Sequence, residues 1–203
     1  MKINYRVSAV FVTEAANQEN GVLIVTLNEE KFDPKKYEKV VKLRDGRTVL
    51  LRLIKPEDEL LWLEMFQNFS EESVRYRFFY MIKDTPHKVR ARYCDIDYTK
   101  EIGIVAELEE KGRRKILGVV RLEIEFERKE GEMAFIVADP WQGLGLGSQM
   151  IDHMVEICKY RGLETIYALT LPNNHKAIRL LKKRGFMIKY GTDEAKATLN
   201  LKN

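Results

Sequence analysis

A long apolar run is the first thing missing from these 203 residues. Nothing approaches the roughly 18 consecutive apolar residues that mark a membrane-spanning helix, so no membrane partner is expected. Met1-Lys2 leads into a short mixed segment rather than a charged stub and an apolar stretch, and no secretory signal is expected. Cysteine is scarce: Cys94 and Cys158 form no metal-binding or redox spacing and read as reduced thiols of a cytoplasmic protein. His87, His153 and His175 share no spacing and have no metal-ligand partners, so they read as surface or packing residues and no metal is expected. Repeats and low-complexity tracts are absent as well. The excess charge of one sign is small, +4, which suits acidic ligands such as phosphates without requiring nucleic acid. The basic-aromatic stretch "RYRFF" reads as a helix burying Phe78 and Phe79 while Arg75 and Arg77 face water, so no nucleic-acid partner is expected.

What is present is an ordinary globular balance, 45% hydrophobic and 33% charged, able to bury a core. Residues 5–13 and 21–27 read as two strands joined through "NQEN". "NEEKFDPKKYEK" is linker-like and puts a soft boundary near residue 38, giving an N-terminal extension over 1–38 and one domain over 39–203. Asp45-Gly46 between apolar runs is a strong hairpin signal. Pro56 with the acids behind it, Ser70 as an N-cap and Pro86 open three helices. "EIGIVAELEE" and "KILGVVRLEIEFE" read as strands that turn near Lys111-Gly112. In the second, Val120, Leu122, Ile124 and Phe126 alternate with Arg121, Glu123, Glu125 and Glu127, the pattern of a sheet with one wet face. "EMAFIVA" is apolar in both phases and reads as a central strand buried on both faces. A helix from about Leu144 to Arg161, the strand "ETIYALTL", the helix "NNHKAIRLLKKRG" closed by Gly185, and the strands "FMIKY" and "KATLNL" complete a mixed sheet covered by helices.

The stretch "DPWQGLGLGSQM" places Gly143, Gly145 and Gly147 at every second position, directly before a helix. Glycine inside regular structure is destabilising by about 0.5–1 kcal/mol relative to alanine, so a close backbone approach is implied. A packing turn before a helix is one reading. A dinucleotide fingerprint is another, but it lacks its third small residue in place and sits late in the chain, after antiparallel strands. No Gly-Lys-Ser/Thr follows, which excludes a phosphate loop. The third reading is a pyrophosphate clamp: bare amides at a helix N-terminus form an anion site, and a parallel strand pair beside it leaves room for the tail of coenzyme A.

Gln142-Gly143-Leu144-Gly145-Leu146-Gly147 resembles the Q/R-x-x-G-x-G/A signature of the GNAT N-acetyltransferases. "NHKAIRLLKKRGF", Asn174 to Phe186, is similar to the superfamily's later N-x-x-A…G-F helix, in the family's order. "LRLIKPEDE", "FSEESVRYRFF" and "DIDYTKEIGIVA" resemble a subgroup, the protein lysine acetyltransferases that modify acyl-CoA synthetases. The similarity runs over roughly residues 42 to 190 and leaves out the first 40. It implies an α+β fold: a central mixed, mostly antiparallel sheet with a parallel pair splayed around the cofactor and helices on both faces. It implies acetyl-CoA as cosubstrate, held by Gln142, Gly143, Leu144, Gly145, Leu146, Gly147 and Ser148, and a protein partner bearing an acceptor lysine, such as an acyl-CoA synthetase.

Acetyl transfer needs a neutral amine, and only about one lysine in a thousand is neutral at pH 7, so a base is expected. Glu132 fits both a solvated glutamate beside the Gly131 turn and that base; the resemblance implies the base. Glu123 and Glu125 are explained as a wet face, and Asp139 before Pro140 as a turn residue. The resemblance also implies that strand-edge amides of Phe135, Ile136 and Val137 hold the thioester oxygen, and that Asn174 meets the pantetheine arm; helix capping explains Asn174 equally well. Many family members carry a tyrosine as general acid where this chain has Leu181. Two alternatives therefore stay open beside a protein lysine acetyltransferase: an enzyme acting on a small amine or an N-terminus, and a non-catalytic acyl-CoA-binding sensor. Residues 1–40 are open to three roles: a sheet-edge hairpin that makes a homodimer, a partner site, or an extra layer.

Overall fold

The structure is a computed structural model, and it describes residues 32–82 and 85–202 together with the backbone of β1 (Gln18–Glu19) and β2 (Val22–Leu23). These two short strands pair antiparallel, Gln18 opposite Leu23; Gln18 and Glu19 belong to the stretch expected to join the two N-terminal strands, and the expected strand over residues 5–13 lies outside the described residues. The body is one eight-stranded sheet in the order β3 (Lys39–Lys42), β4 (Thr48–Leu53), β5 (Glu101–Glu110), β6 (Arg113–Glu125), β7 (Glu130–Val137), β8 (Thr165–Thr170), β10 (Ala195–Asn200), β9 (Met187–Tyr190). Every neighbouring pair is antiparallel except β7 and β8. The hairpins fall where the sequence places them, at Asp45-Gly46 and at Lys111-Gly112.

Five helices complete the body: α1 (Glu59–Phe66), α2 (Glu71–Phe78), α3 (His87–Cys94), α4 (Leu146–Tyr160) and α5 (His175–Lys182). Ser70 caps α2 by accepting from the Ser73 amide at 3.2 Å, which satisfies one of the donors a helix start leaves free. The α1–α3 layer and α4 cover opposite faces of the sheet. On one face Arg121 of β6 donates to the Tyr93 carbonyl of α3; on the other, Gly147 of α4 rests on Val137 of β7. Trp62 anchors the first layer, stacked on Phe66 and Tyr93. Met150, Ile151, Met154 and Cys158 bury the inner stripe of α4, and each large aliphatic side chain so buried contributes about 1.5–3 kcal/mol.

Four expectations are corrected. The polar phase of β6 is not wholly wet: Arg121 is buried and paired with Glu101, because α3 covers that part of the face, whereas Glu123 and Glu125 are exposed. The strand "EMAFIVA" is not buried on both sides: Gly131, Met133 and Ile136 are buried, while Ala134, Phe135 and Val137 are half-buried, because β8 leaves it part of the way along. Phe79 is not core either; it is exposed, in the left-handed region at φ +66°, and ends α2. The long helix starts at Leu146, two residues later than the apolar pattern indicates.

Candidate active site

β7 and β8 are neighbours over three rungs only, Glu130–Thr165, Gly131–Ile166 and Glu132–Tyr167. Past the third rung they part, and a cleft of about 770 Å³ opens between them, a size suited to a cofactor-sized ligand. Met133–Val137 and Ala168–Thr170 form its strand walls; α2, α5 and the glycine loop form the rest. The β6–β7 register runs unbroken from Glu130 to Val137, and the Ala138 amide donates to the Leu117 carbonyl. Antiparallel ladders alternate bonded and non-bonded residues. The amide of Ile136 is therefore committed to β6, and those of Phe135 and Val137 face the open edge.

The glycine loop lies at the mouth of this cleft. Gly143 (φ +78°) has open space where a Cβ would stand, and Gly145 (φ +89°) is the N-cap of α4; both backbones occupy a region that L side chains rarely adopt. Gln149 is the residue whose amide bonds back to Gly145, so the amides of Leu146, Gly147 and Ser148 have no partner within the helix. Leu146 is itself buried and Leu144 half-buried, and neither lines the cleft, whereas Gln142, Gly143, Gly145, Gly147 and Ser148 do. Arg44, Lys176 and Arg179 also line the cleft. Bare amides at a helix N-terminus among three cations fit a diphosphate. Arg44 arrives from the β3–β4 hairpin, its amide bonded to the Leu144 carbonyl at 3.0 Å and its guanidinium to the Gly143 carbonyl at 3.3 Å. Arg47 of the same hairpin lies 4.1 Å over the Trp141 ring.

The Gln142 side chain braces the loop from within, donating to the Val137 carbonyl at 3.1 Å and to Ser73 Oγ at 3.2 Å. Asp139 is a turn residue, as expected, and more: its carboxylate accepts from the Ser70 amide, Ser70 Oγ and Ser73 Oγ, fastening α2 to the loop. Asn174 caps α5 through the Ala177 amide and donates to Thr170 Oγ1, so the capping reading of this residue holds while it also lines the cleft. Leu181 is buried against the cleft and brings no hydroxyl.

Glu132 stands on the last shared rung, directly before the residues that line the cleft. Tyr167 Oη donates to its Oε2 at 3.1 Å. Burial, and then the Glu132 charge, hold the Tyr167 phenol above its ordinary pKa, so the phenol stays a donor. Lys196 Nζ sits 3.9 Å from the centre of the same ring. Glu123 is the β6 partner of Glu132. On the α2 side, Tyr76 Oη reaches both Glu72, at 3.2 Å, and the Asn173 carbonyl, at 3.4 Å, spanning from α2 to the start of α5. Arg77 lines the cleft instead of facing water. Arg44, Tyr76, Arg77 and Tyr167 are not marked as site residues by their local sequence, although Tyr76 and Arg77 lie in the family-like stretch "FSEESVRYRFF"; each enters the site through pairing of elements distant in the chain.

A sheet that splits beside a glycine-lined helix N-terminus, with a carboxylate at the fork, suits a transferase that takes its group from a diphosphate-bearing carrier. The comparisons with known proteins specify which. The model of the acetyltransferase (GNAT) family matches residues 58–186, well over half of the chain, and the protein belongs to that family. An acetyltransferase from Pseudomonas aeruginosa is 28% identical over 156 residues, covering 77% of this chain and 84% of the relative. The GNAT domain of S. lividans PAT superposes with a TM-score of 0.75 at 27% identity, over 83% of this chain and 99% of that one. Spermidine N-acetyltransferase from Vibrio cholerae, in complex with CoA and spermine, shares the fold with a TM-score of 0.63 at 20% identity, over 75% of this chain and 95% of that one. The protein is an acetyl-CoA-dependent N-acetyltransferase. Among the described residues there is no cluster of metal ligands and no helix long and apolar enough to cross a membrane.

Proposed function

We propose that the acceptor is a protein lysine, that Glu132 is the general base, and that the glycine loop holds the diphosphate of acetyl-CoA. The observation that carries the reading is the position of Glu132 at the fork of β7 and β8, oriented by Tyr167. With Oε2 occupied by the phenol, Oε1 is left to accept the proton of the incoming ammonium, and such a base contributes about 10²–10⁴-fold. The open-edge amides of Phe135 and Val137 receive the thioester oxygen as it gathers charge; a donor of this kind is worth about 2.7–4 kcal/mol. Leu181 supplies no proton to the departing thiolate, and a thiol with a pKa of about 8.5 leaves by taking one from water. The likeness to the GNAT domain of S. lividans PAT, together with the resemblance of "LRLIKPEDE", "FSEESVRYRFF" and "DIDYTKEIGIVA" to the protein lysine acetyltransferases, supports a protein acceptor.

A second reading, a small polyamine as acceptor, is favoured by one observation: Glu123, Glu130 and Glu132 adjoin one another around Tyr167 and would attract a cation. The experiment is incubation with acetyl-CoA and either an acyl-CoA synthetase or spermidine, read by mass spectrometry. A mass gain of one acetyl group on a synthetase lysine, lost with Glu132→Gln, supports the first reading. Acetylated spermidine with unmodified protein overturns it.

A further inference from the structure

Arg77 is the odd arginine of this molecule. Arg47, Arg52, Arg90, Arg121, Arg161 and Arg184 are each buried or half-buried, and each donates to a carboxylate, a carbonyl or a hydroxyl of the protein. Arg77 is half-buried too, yet among the described residues its guanidinium has no hydrogen-bond acceptor and no ion pair. What it touches is the face of the adjacent Phe78 ring, 4.9 Å from the guanidinium carbon, which covers one side of the plane and leaves the donor edges uncommitted. A shielded cation without an acceptor is costly, and burial together with the neighbouring Arg121 works against its charged form. Arg121 is already paired with Glu101 and bonded to the Tyr93 carbonyl, so its charge is neutralised within the protein while that of Arg77 is not.

The place of Arg77 says what that anion belongs to. Arg77 projects from α2 into the cleft, on the sheet face that carries Glu132 and Glu123, close enough to feel both charges. The diphosphate loop lies at the other end of the strand, past Val137. We propose that Arg77 is the acceptor-recognition residue: it binds a carboxylate that the acceptor carries near its reactive amine, so that the preferred substrate is a lysine flanked by Asp or Glu. This rests on the reading of the Glu132 end of the cleft as the acceptor site. A planar fork meeting a carboxylate gives two parallel hydrogen bonds, which lysine at the same position cannot reproduce. The proposal also reconciles an acidic fork with selectivity: Glu132 takes the ammonium while Arg77 takes its neighbour.

The experiment compares the full-length wild type with Arg77→Gln and Arg77→Lys on lysine peptides whose flanking residues are acidic, neutral or basic, with acetyl-CoA titration as the check that fold and carrier site persist. The wild type is expected to prefer the acidic flank. Arg77→Gln is expected to raise KM for the acidic-flanked peptide by about 10- to 100-fold while the acidic-to-neutral ratio collapses to parity; Arg77→Lys recovers part of the ratio. A uniform fall in kcat on all three peptides, or a wild type without preference, overturns the proposal. If no peptide is acetylated, lysine against cadaverine makes the same comparison, since the two differ only by the carboxylate. An Arg77-dependent preference for lysine then upholds Arg77 and sinks the protein-acceptor reading; parity or inactivity on both overturns Arg77 as well.

Discussion

Tyr167 donates to Glu132 across the last rung before β7 and β8 separate. One hydrogen bond thus fixes the carboxylate at the point where the sheet stops being continuous. Glu132→Gln keeps the volume and the contact but cannot accept the amine's proton. Its kcat should fall about 10²–10⁴-fold, with acetyl-CoA affinity by calorimetry retained. The residual rate should climb as pH rises towards the pKa of a free lysine, about 10.4, because the amine then arrives neutral. A Glu132→Gln enzyme with wild-type kcat at pH 7 removes this residue from the chemistry.

Gly145 holds φ at +89° at the N-cap of α4, with the Arg44 side chain 3.6 Å from where a Cβ would stand. Valine there is doubly unsuited, being β-branched in the left-handed region and crowding the cation above the loop. Gly145→Val should abolish acetyl-CoA binding, a loss of at least about 100-fold, while circular dichroism still reports the fold. Retained affinity places the carrier elsewhere.

Arg52, Asp58 and Glu107 form a buried ionic cluster: Asp58 is fully buried and accepts from Arg52 twice and from the Lys55 amide, and Arg52 also reaches Glu107. Removing one member strands its partner's charge, which typically costs about 3–5 kcal/mol. Arg52→Leu should lower unfolding stability by that amount in a urea titration. A change below about 1 kcal/mol, the scale of an exposed pair, contradicts the arrangement.

Burial pushes the thiols of Cys94 and Cys158 up to about 12. The unfolded chain loses these protons from about pH 8.5, so their contribution to stability is whole below that pH and declines as pH rises towards 12. Native protein should resist a thiol reagent at pH 8 and titrate both cysteines in denaturant. Cys94→Ala/Cys158→Ala should show a shallower loss of Tm with alkaline pH than the wild type. Rapid labelling of the native state would show that either thiol is accessible.

Much of this was legible in the chain. Asp45-Gly46, Ser70, Pro86 and Gly185 act within a few residues of themselves, through turn geometry, capping and backbone freedom, and the elements they bound are observed. The glycine loop was legible for the same reason. "EMAFIVA" misled because apolar alternation reports only that a side chain avoids water, not whether a strand or a ligand cleft lies beside it. Arg121 and Arg77 misled in the same way: whether a charged residue faces solvent depends on what the fold sets against it, α3 for Arg121 and the cleft wall for Arg77.

The sequence by itself determined most of the elements, the hairpins and the glycine loop before α4, since each depends on local steric and hydrogen-bonding rules. The tertiary structure alone decided that β8 pairs with β7 for three rungs and then departs, that Tyr167 meets Glu132, and that Arg77 turns inward against Phe78 with no hydrogen-bond acceptor among the described residues. Those are register and packing outcomes. They depend on summed contacts between segments far apart in the chain, which no local pattern encodes.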